Sequence, residues 1–158
     1  MITYIFDLDH TVIDSSHRQH TKPDGSLDLE NWKENCTRNK IMQDKLLPIA
    51  DIMRHVYNKG HDVIICTARV LSEHDLEFLQ KHDLRYNALL SRIEGDNRKD
   101  DIMKRDLLIK HFQTRKIPLA RWTKTAVFYD DNKAVLQMAT DLGIKAFNAI
   151  KLNKAMGA

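Results

Sequence analysis

Apolar and polar positions along the chain fall into blocks whose period switches between that of strands and that of helices. Three short β-branched and aromatic runs each stop at a polar side chain: residues 2–6 (Ile-Thr-Tyr-Ile-Phe) at Asp7, residues 62–66 (Asp-Val-Ile-Ile-Cys) at Thr67, and residues 125–129 (Thr-Ala-Val-Phe-Tyr) at Asp130. Shorter apolar groups lie near residues 88–90 and 146–147. Between these runs the apolar positions recur at helical spacing. Residues 46–59 carry Leu46, Ile49, Ile52, Met53 and Val56 on one face, with Gly60 as the stop. Residues 71–82 offer Ser72 as N-cap, with Glu73 and Asp75 in the first turn, where acidic groups favour the helix dipole. Residues 100–112 bring Ile102, Met103, Leu107 and Phe112 near one stripe, and residues 132–142 end at Gly143. Strand, helix, strand at this spacing predicts an α/β fold, a Rossmann-like three-layer αβα arrangement around a parallel sheet. Ligands of such sheets bind beyond the carboxyl ends of the strands. The polar residues that end the three runs are therefore the ones to weigh.

Composition narrows the class. At 158 residues the chain is expected to form a single domain, 1–158. Residues 14–31, with Pro23, Gly25 and many polar groups, read as a loop or flap, and only residues 10–45 can serve as a minimal cap insertion. Hydrophobic residues at 42% and charged residues at 30% are those of an ordinary globular protein, neither disordered nor fibrous. The two cysteines, Cys36 and Cys66, form no CxxC and no disulfide framework, so a reducing, cytoplasmic setting is expected. No apolar run reaches the roughly 18 residues of a membrane span. The first run meets Asp7 too soon for a signal peptide, so no membrane association is expected. The net charge of +3 permits a phosphate-rich partner without requiring one.

The candidate chemistry sits at the strand ends. Asp7 and Asp9 repel each other unless a cation offsets them. Alone, such a pair is most simply a polar turn, but Asp130 and Asp131 form a second pair. Neighbouring strands would bring up to four carboxylates into one crevice, and Mg2+ prefers such oxygens. Thr67, followed by Ala68 and Arg69, can offer a hydroxyl and backbone N–H groups to a phosphate. Lys104 lies four residues after Asp100, so the two share a helical face and can pair. His17 and His20 find no Cys or His partner at zinc-finger spacing and read as surface residues. Trp32 and Trp122 are as well suited to core packing as to stacking on bases. No glycine is followed by lysine, so the G-x-x-x-x-G-K-[ST] loop of a kinase is absent.

In order, strand-Asp-x-Asp, strand-Thr, helical Lys and strand-Asp-Asp form a constellation that resembles the haloacid dehalogenase superfamily of aspartate-nucleophile phosphotransferases. The motifs are separated by 60, 37 and 26 residues from Asp7 to Thr67, Lys104 and Asp130. A closer resemblance lies in residues 92–104, whose pattern R-x-x-G-D-x-R-K-D-D-x-x-K is similar to the phosphatase domain of bacteriophage-type polynucleotide kinase-phosphatases. The chain departs from the superfamily pattern at His10, where glycine is usual. The resemblance implies an aspartyl-phosphate formed on Asp7, Asp9 as general acid and base, and Thr67 and Lys104 against the phosphoryl group. Asp9 is expected to stay protonated because Asp7 raises its pKa. It further implies Mg2+ held by Asp7, the Asp9 backbone carbonyl, Asp130 and Asp131, with Asp100 orienting Lys104, and Arg18 and Arg69 gripping substrate phosphates. The substrate implied is a 3′-phosphorylated polynucleotide or nucleotide end, with any kinase or ligase a separate protein. Nucleoside monophosphates and other small phosphate esters remain the alternative, and a silent module that binds nucleic-acid ends is the rival from another class.

Overall fold

The computed structural model describes residues 1–19 and 22–158. In chain order its elements are β1 (Thr3–Phe6), β2 (Ile13–Asp14), α1 (Leu29–Glu34), α2 (Arg38–Ile41), β3 (Lys45–Leu46), α3 (Ile49–Asn58), β4 (Asp62–Thr67), α4 (Glu73–Lys81), β5 (Ala88–Ser91), α5 (Asp100–Thr114), α6 (Leu119–Trp122), β6 (Ala126–Asp130), α7 (Lys133–Leu142), β7 (Lys145–Asn148) and α8 (Ala149–Ala155). Five strands form one parallel sheet in the order β5-β4-β1-β6-β7, and β2 pairs antiparallel with β3 in a separate two-stranded ribbon. The chain leaves the central strand β1 and builds outward on both sides, so the crevice beyond β1 is the switch point where such sheets bind ligands. Register aligns the three polar strand ends: Phe6 pairs with Ile65 of β4 and Tyr129 of β6, and the Asp7 N–H extends the ladder by donating to the Tyr129 carbonyl at 3.0 Å.

Successive strand residues face opposite sides of a sheet, and here both sides are apolar. Phe6, Val63, Ile65 and Tyr129 pack with residues of α3, α4 and α8, whereas Ile5, Ile64, Cys66 and Phe128 pack with residues of α5 and α7. This is the αβα layering expected. Helix α3 starts later than its periodicity implies, because Leu46 pairs with Ile13 in the ribbon and Pro48 sits at the helix entrance. It closes on Gly60 at φ +85°, where the His61 N–H reaches back to the Val56 carbonyl. The apolar stripe of α5 is Met103, Leu108 and Phe112, with Lys104 buried among them and Ile102 on the exposed side. The expected stripe through Ile102 is thus rotated by one residue, because Lys104 must point inward.

The described residues of the stretch 14–31 are less irregular than its composition implies. The ribbon clamps the base of residues 15–44, and short helices follow, α1 capped by the Asp28 side chain and α2 by Thr37. No helix of the described residues is long and apolar enough to cross a membrane.

Candidate active site

Strand ends and one helix deliver the candidate groups to a single place. Asp7 follows β1, Asp130 ends β6, Asp131 follows it, and Lys104 reaches in from the first turns of α5. The carboxylates of Asp7, Asp130 and Asp131 offer oxygens that all lie within 4.8 Å of one another. The Lys104 ammonium bridges two of them, donating to Asp7 Oδ1 at 3.0 Å and to Asp130 Oδ2 at 2.7 Å, and is only 2% exposed. Thr11 donates its hydroxyl to Asp7 Oδ2 at 3.2 Å, and the Asn132 N–H donates to Asp130 Oδ1 at 2.9 Å.

Charge at this point does not balance, since one ammonium faces three carboxylates. Burial, reinforced by the Asp130 charge, pushes the Asp7 carboxyl up to about 6. Burial and then the Asp7 charge push Asp131 up to about 7, and burial also raises Asp130. Burial works against the Lys104 charge, but Asp7 and Asp130 override it and hold the ammonium above its ordinary value. An all-oxygen donor set with surplus negative charge suits a hard divalent cation, which would take the place of the protons these raised carboxyls retain.

Asp9 behaves differently from expectation. Its carboxylate stands outside the cluster of Asp7, Asp130 and Asp131 and is gripped by Arg69, with Nε at 2.7 Å from Oδ2 and Nη2 at 2.6 Å from Oδ1. Ser15 donates to Oδ1 at 2.6 Å. Although burial opposes the charge, the Arg69 ion pair and these hydrogen bonds bring the Asp9 pKa down to about 2. Asp9 is therefore ionised rather than kept neutral by Asp7, and the crevice gathers three carboxylates rather than four.

The arginines and Asp100 are also placed otherwise. Arg18 is 1% exposed and its guanidinium is forked onto Asp44 at 2.9 and 2.8 Å, with its carbon 4.3 Å from the centre of the Trp32 ring. It is occupied within the insertion rather than open to a phosphate. Arg69 contacts Asp75 at 2.7 Å besides Asp9, and lies under the same Trp32 ring. Asp100 accepts from Arg92 Nη2 at 2.7 Å, not from Lys104, which the two site carboxylates have claimed. Thr67 is fully buried and its hydroxyl accepts the Arg69 N–H at 3.1 Å, leaving its own proton to donate. His17 contacts Asp44 at 2.7 Å, whereas His20 lies outside the described residues. Trp122 is stacked on Phe112 in the core.

Sequence reasoning missed Asp44, Asp75 and Ser15, the polar groups that hold Arg18, Arg69 and Asp9. Only Asp75 left a signal, as the acidic group three residues after Ser72 in a capping box. The 92–104 string has a structural explanation as well. Arg92 donates to the carbonyls of Ala68, Asp96 and Arg98 and pairs with Asp100, while Arg98 pairs with Asp96 and Asp106. Arg92, Asp96, Arg98 and Asp100 thus fasten the loop between β5 and α5.

A family model for bacteriophage T5 5′-deoxynucleotidase matches residues 1–157. The 5′-deoxynucleotidase of Escherichia phage T5 is 34% identical over 172 residues, covering 94% of this chain and 67% of that protein. The chain belongs to this deoxynucleotidase family. Among solved structures, a chain of the Pnkp1/Rnl/Hen1 complex is similar with a TM-score of 0.70 and 24% identity, covering 94% of this chain. The family member spans only 45% of that larger chain. A haloacid dehalogenase-like hydrolase from Streptococcus pneumoniae is similar with a TM-score of 0.65 and 15% identity, over 94% of this chain and 84% of the other. These likenesses are of fold: the chain shares the α/β arrangement of a haloacid dehalogenase-like hydrolase, with the strand-end motifs at the carboxyl edge of its sheet.

Proposed function

We propose that the protein is a Mg2+-dependent phosphatase of 5′-deoxynucleoside monophosphates that works through an aspartyl-phosphate. The observation that carries this reading is the meeting of Asp7, Asp130, Asp131 and Lys104 beyond the central strand, in a chain that belongs to a 5′-deoxynucleotidase family. Asp7 attacks phosphorus in line, the bond from phosphorus to the ester oxygen breaks, and Asp9 supplies the proton that the leaving hydroxyl needs. Water then attacks phosphorus and gives a proton to Asp9, and the bond to Asp7 breaks to release inorganic phosphate. Lys104 offsets charge on Asp7 and on the transferring group, and Thr67 donates its free hydroxyl proton to a phosphoryl oxygen. The carboxylates of Asp7, Asp130 and Asp131, with the Asp9 backbone carbonyl, would hold Mg2+, which when bound neutralises phosphoryl charge.

Arg69 connects binding to proton transfer. Asp9 cannot act as an acid while the guanidinium grips both of its oxygens. An arriving phosphate dianion offers Arg69 an equally good bidentate partner, and the transfer frees Asp9 to take up a proton. Arg18, tied to Asp44, supports this arrangement from inside the insertion rather than touching substrate.

A 3′-phosphorylated polynucleotide end is the competing substrate. Arg92, Asp96, Arg98 and Asp100 of the string behind that reading fasten a loop, and the likeness to the Pnkp1 complex is one of fold. The deciding experiment compares phosphate release from 5′-deoxynucleotides, 5′-ribonucleotides, 3′-deoxynucleotides and a 3′-phosphorylated oligonucleotide in Mg2+. A preference for 5′-deoxynucleotides on the order of tenfold or more is expected, the scale that pocket contacts deliver. Fastest release from the oligonucleotide would replace this substrate with the polynucleotide end.

A further inference from the structure

His10 occupies a backbone conformation that side chains avoid. Its φ is +62°, where a Cβ crowds the neighbouring carbonyl and glycine is the natural occupant. It directly follows Asp9. A non-glycine residue held in this region next to a catalytic group is a reason to ask what its side chain does.

The ring begins a chain of hydrogen bonds that ends on Asp9. His10 Nε2 lies 2.8 Å from Gln19 Oε1, Gln19 Nε2 donates to Ser15 Oγ at 2.9 Å, and Ser15 Oγ donates to Asp9 Oδ1 at 2.6 Å. The polarity is consistent along the chain. Because the Gln19 amide nitrogen faces Ser15, its carbonyl faces the ring, and His10 Nε2 must carry the proton. Each group donates to the next, so every dipole points at the carboxylate, and such chains reinforce one another. Both the neutral Nε2–H ring and the imidazolium donate here, so the chain does not depend on the charge of His10. Ser15 is fully buried, which shields the last link from water.

Arg69 holds both oxygens of Asp9, and the chain from His10 reaches Oδ1 through Ser15. Once Arg69 turns to a phosphate, the chain is what still fixes the orientation of the Asp9 carboxylate. Glycine at position 10 would adopt this φ freely but would leave Gln19 without its partner.

We propose that His10 is a positioning residue for proton transfer, setting the Asp9 carboxylate through Gln19 and Ser15. The proposal rests on the reading of Asp9 as general acid and base.

The test uses the full chain with a 5′-deoxynucleotide and Mg2+. His10→Gly relieves the backbone, so its melting temperature should equal or exceed that of the wild type, which separates a positioning loss from unfolding. Its kcat should fall on the order of tenfold with KM essentially unchanged, because misplacing a proton-transfer group costs rate rather than binding. Gln19→Ala should show the same loss, and the double variant should be no worse than either single one, as expected for links of one chain. Wild-type kcat in His10→Gly, a change confined to KM, or losses that multiply in the double variant would each overturn the proposal. Asp9→Asn separates the two levels. If it keeps turnover, the role of Asp9 is wrong; if it is inactive while His10→Gly is normal, the positioning claim alone fails.

Discussion

Metal-free protein should become less stable as pH rises from about 4 to about 7, the reverse of the usual acid-denaturation trend. The cause is the crowding of Asp7, Asp130 and Asp131 around one ammonium. With Asp7 raised from 3.8 to about 6, the folded chain holds a proton that the unfolded chain has already released between those pH values. The unfolded state binds fewer protons there, so stability falls with rising pH. At about 1.4 kcal/mol per pKa unit, the loss from Asp7 is on the order of 3 kcal/mol. Asp131, raised to about 7 but only half-buried, adds a smaller, solvent-screened amount in the same direction. Asp9 acts oppositely. Held at about 2 by Arg69, it contributes stability that is full above about pH 4 and lost as pH falls from there to about 2. Mg2+ should displace the retained protons and remove the decline, so its stabilising increment should be far larger at pH 8 than at pH 5. Urea-denaturation midpoints at both pH values, in chelator and in Mg2+, measure this. A chelated protein whose stability is flat or rises between pH 5 and pH 8, or an equal Mg2+ increment at both, would refute the charge-crowding argument.

Two substitutions probe the buried ion pairs. Lys104→Met leaves Asp7 and Asp130 without their shared cation, and should lower metal-free stability by about 3–5 kcal/mol and abolish turnover. Mg2+ should restore part of that stability but not the activity, as read by thermal melts and phosphate release. Asp44→Ala leaves the buried Arg18 guanidinium unpaired and should cost a similar 3–5 kcal/mol or so, whereas an Arg18→Met/Asp44→Leu double variant should recover most of the loss. A double variant as unstable as the single one would show that the pair does more than balance charge.

The strands and the order of the site motifs were legible because both rest on local pattern. β1, β4 and β6 are β-branched or aromatic runs that stop at Asp7, Thr67 and Asp130, and a parallel sheet necessarily brings their carboxyl ends together. What pattern did not reveal depends on contacts between distant residues. Lys104 rotates the stripe of α5 because its ammonium is bound by Asp7 and Asp130, 97 and 26 residues away in sequence. Asp9 looked like a like-charged neighbour of Asp7, yet Arg69, 60 residues distant, decides its ionisation. Helix α8 has too short an apolar pattern to stand out, and its buried Asn153 is fixed by long-range bonds, accepting the Ile49 N–H and donating to the Thr11 carbonyl, each at 2.9 Å. Local periodicity says nothing of such pairs, and residues of the insertion such as Asp44 make little sense until Arg18 and Arg69 are seen around them.

The central claim is that Asp7 carries the phosphoryl group during turnover. The most direct measurement is an acid-quenched single turnover with a 5′-deoxynucleotide labelled at phosphorus, followed by peptide mapping of the protein-bound label. Label that is stable in acid, released by hydroxylamine and confined to the peptide containing Asp7 is the expected result, with none retained by Asp7→Asn. Turnover without protein-bound label, or label on another residue, would contradict the account.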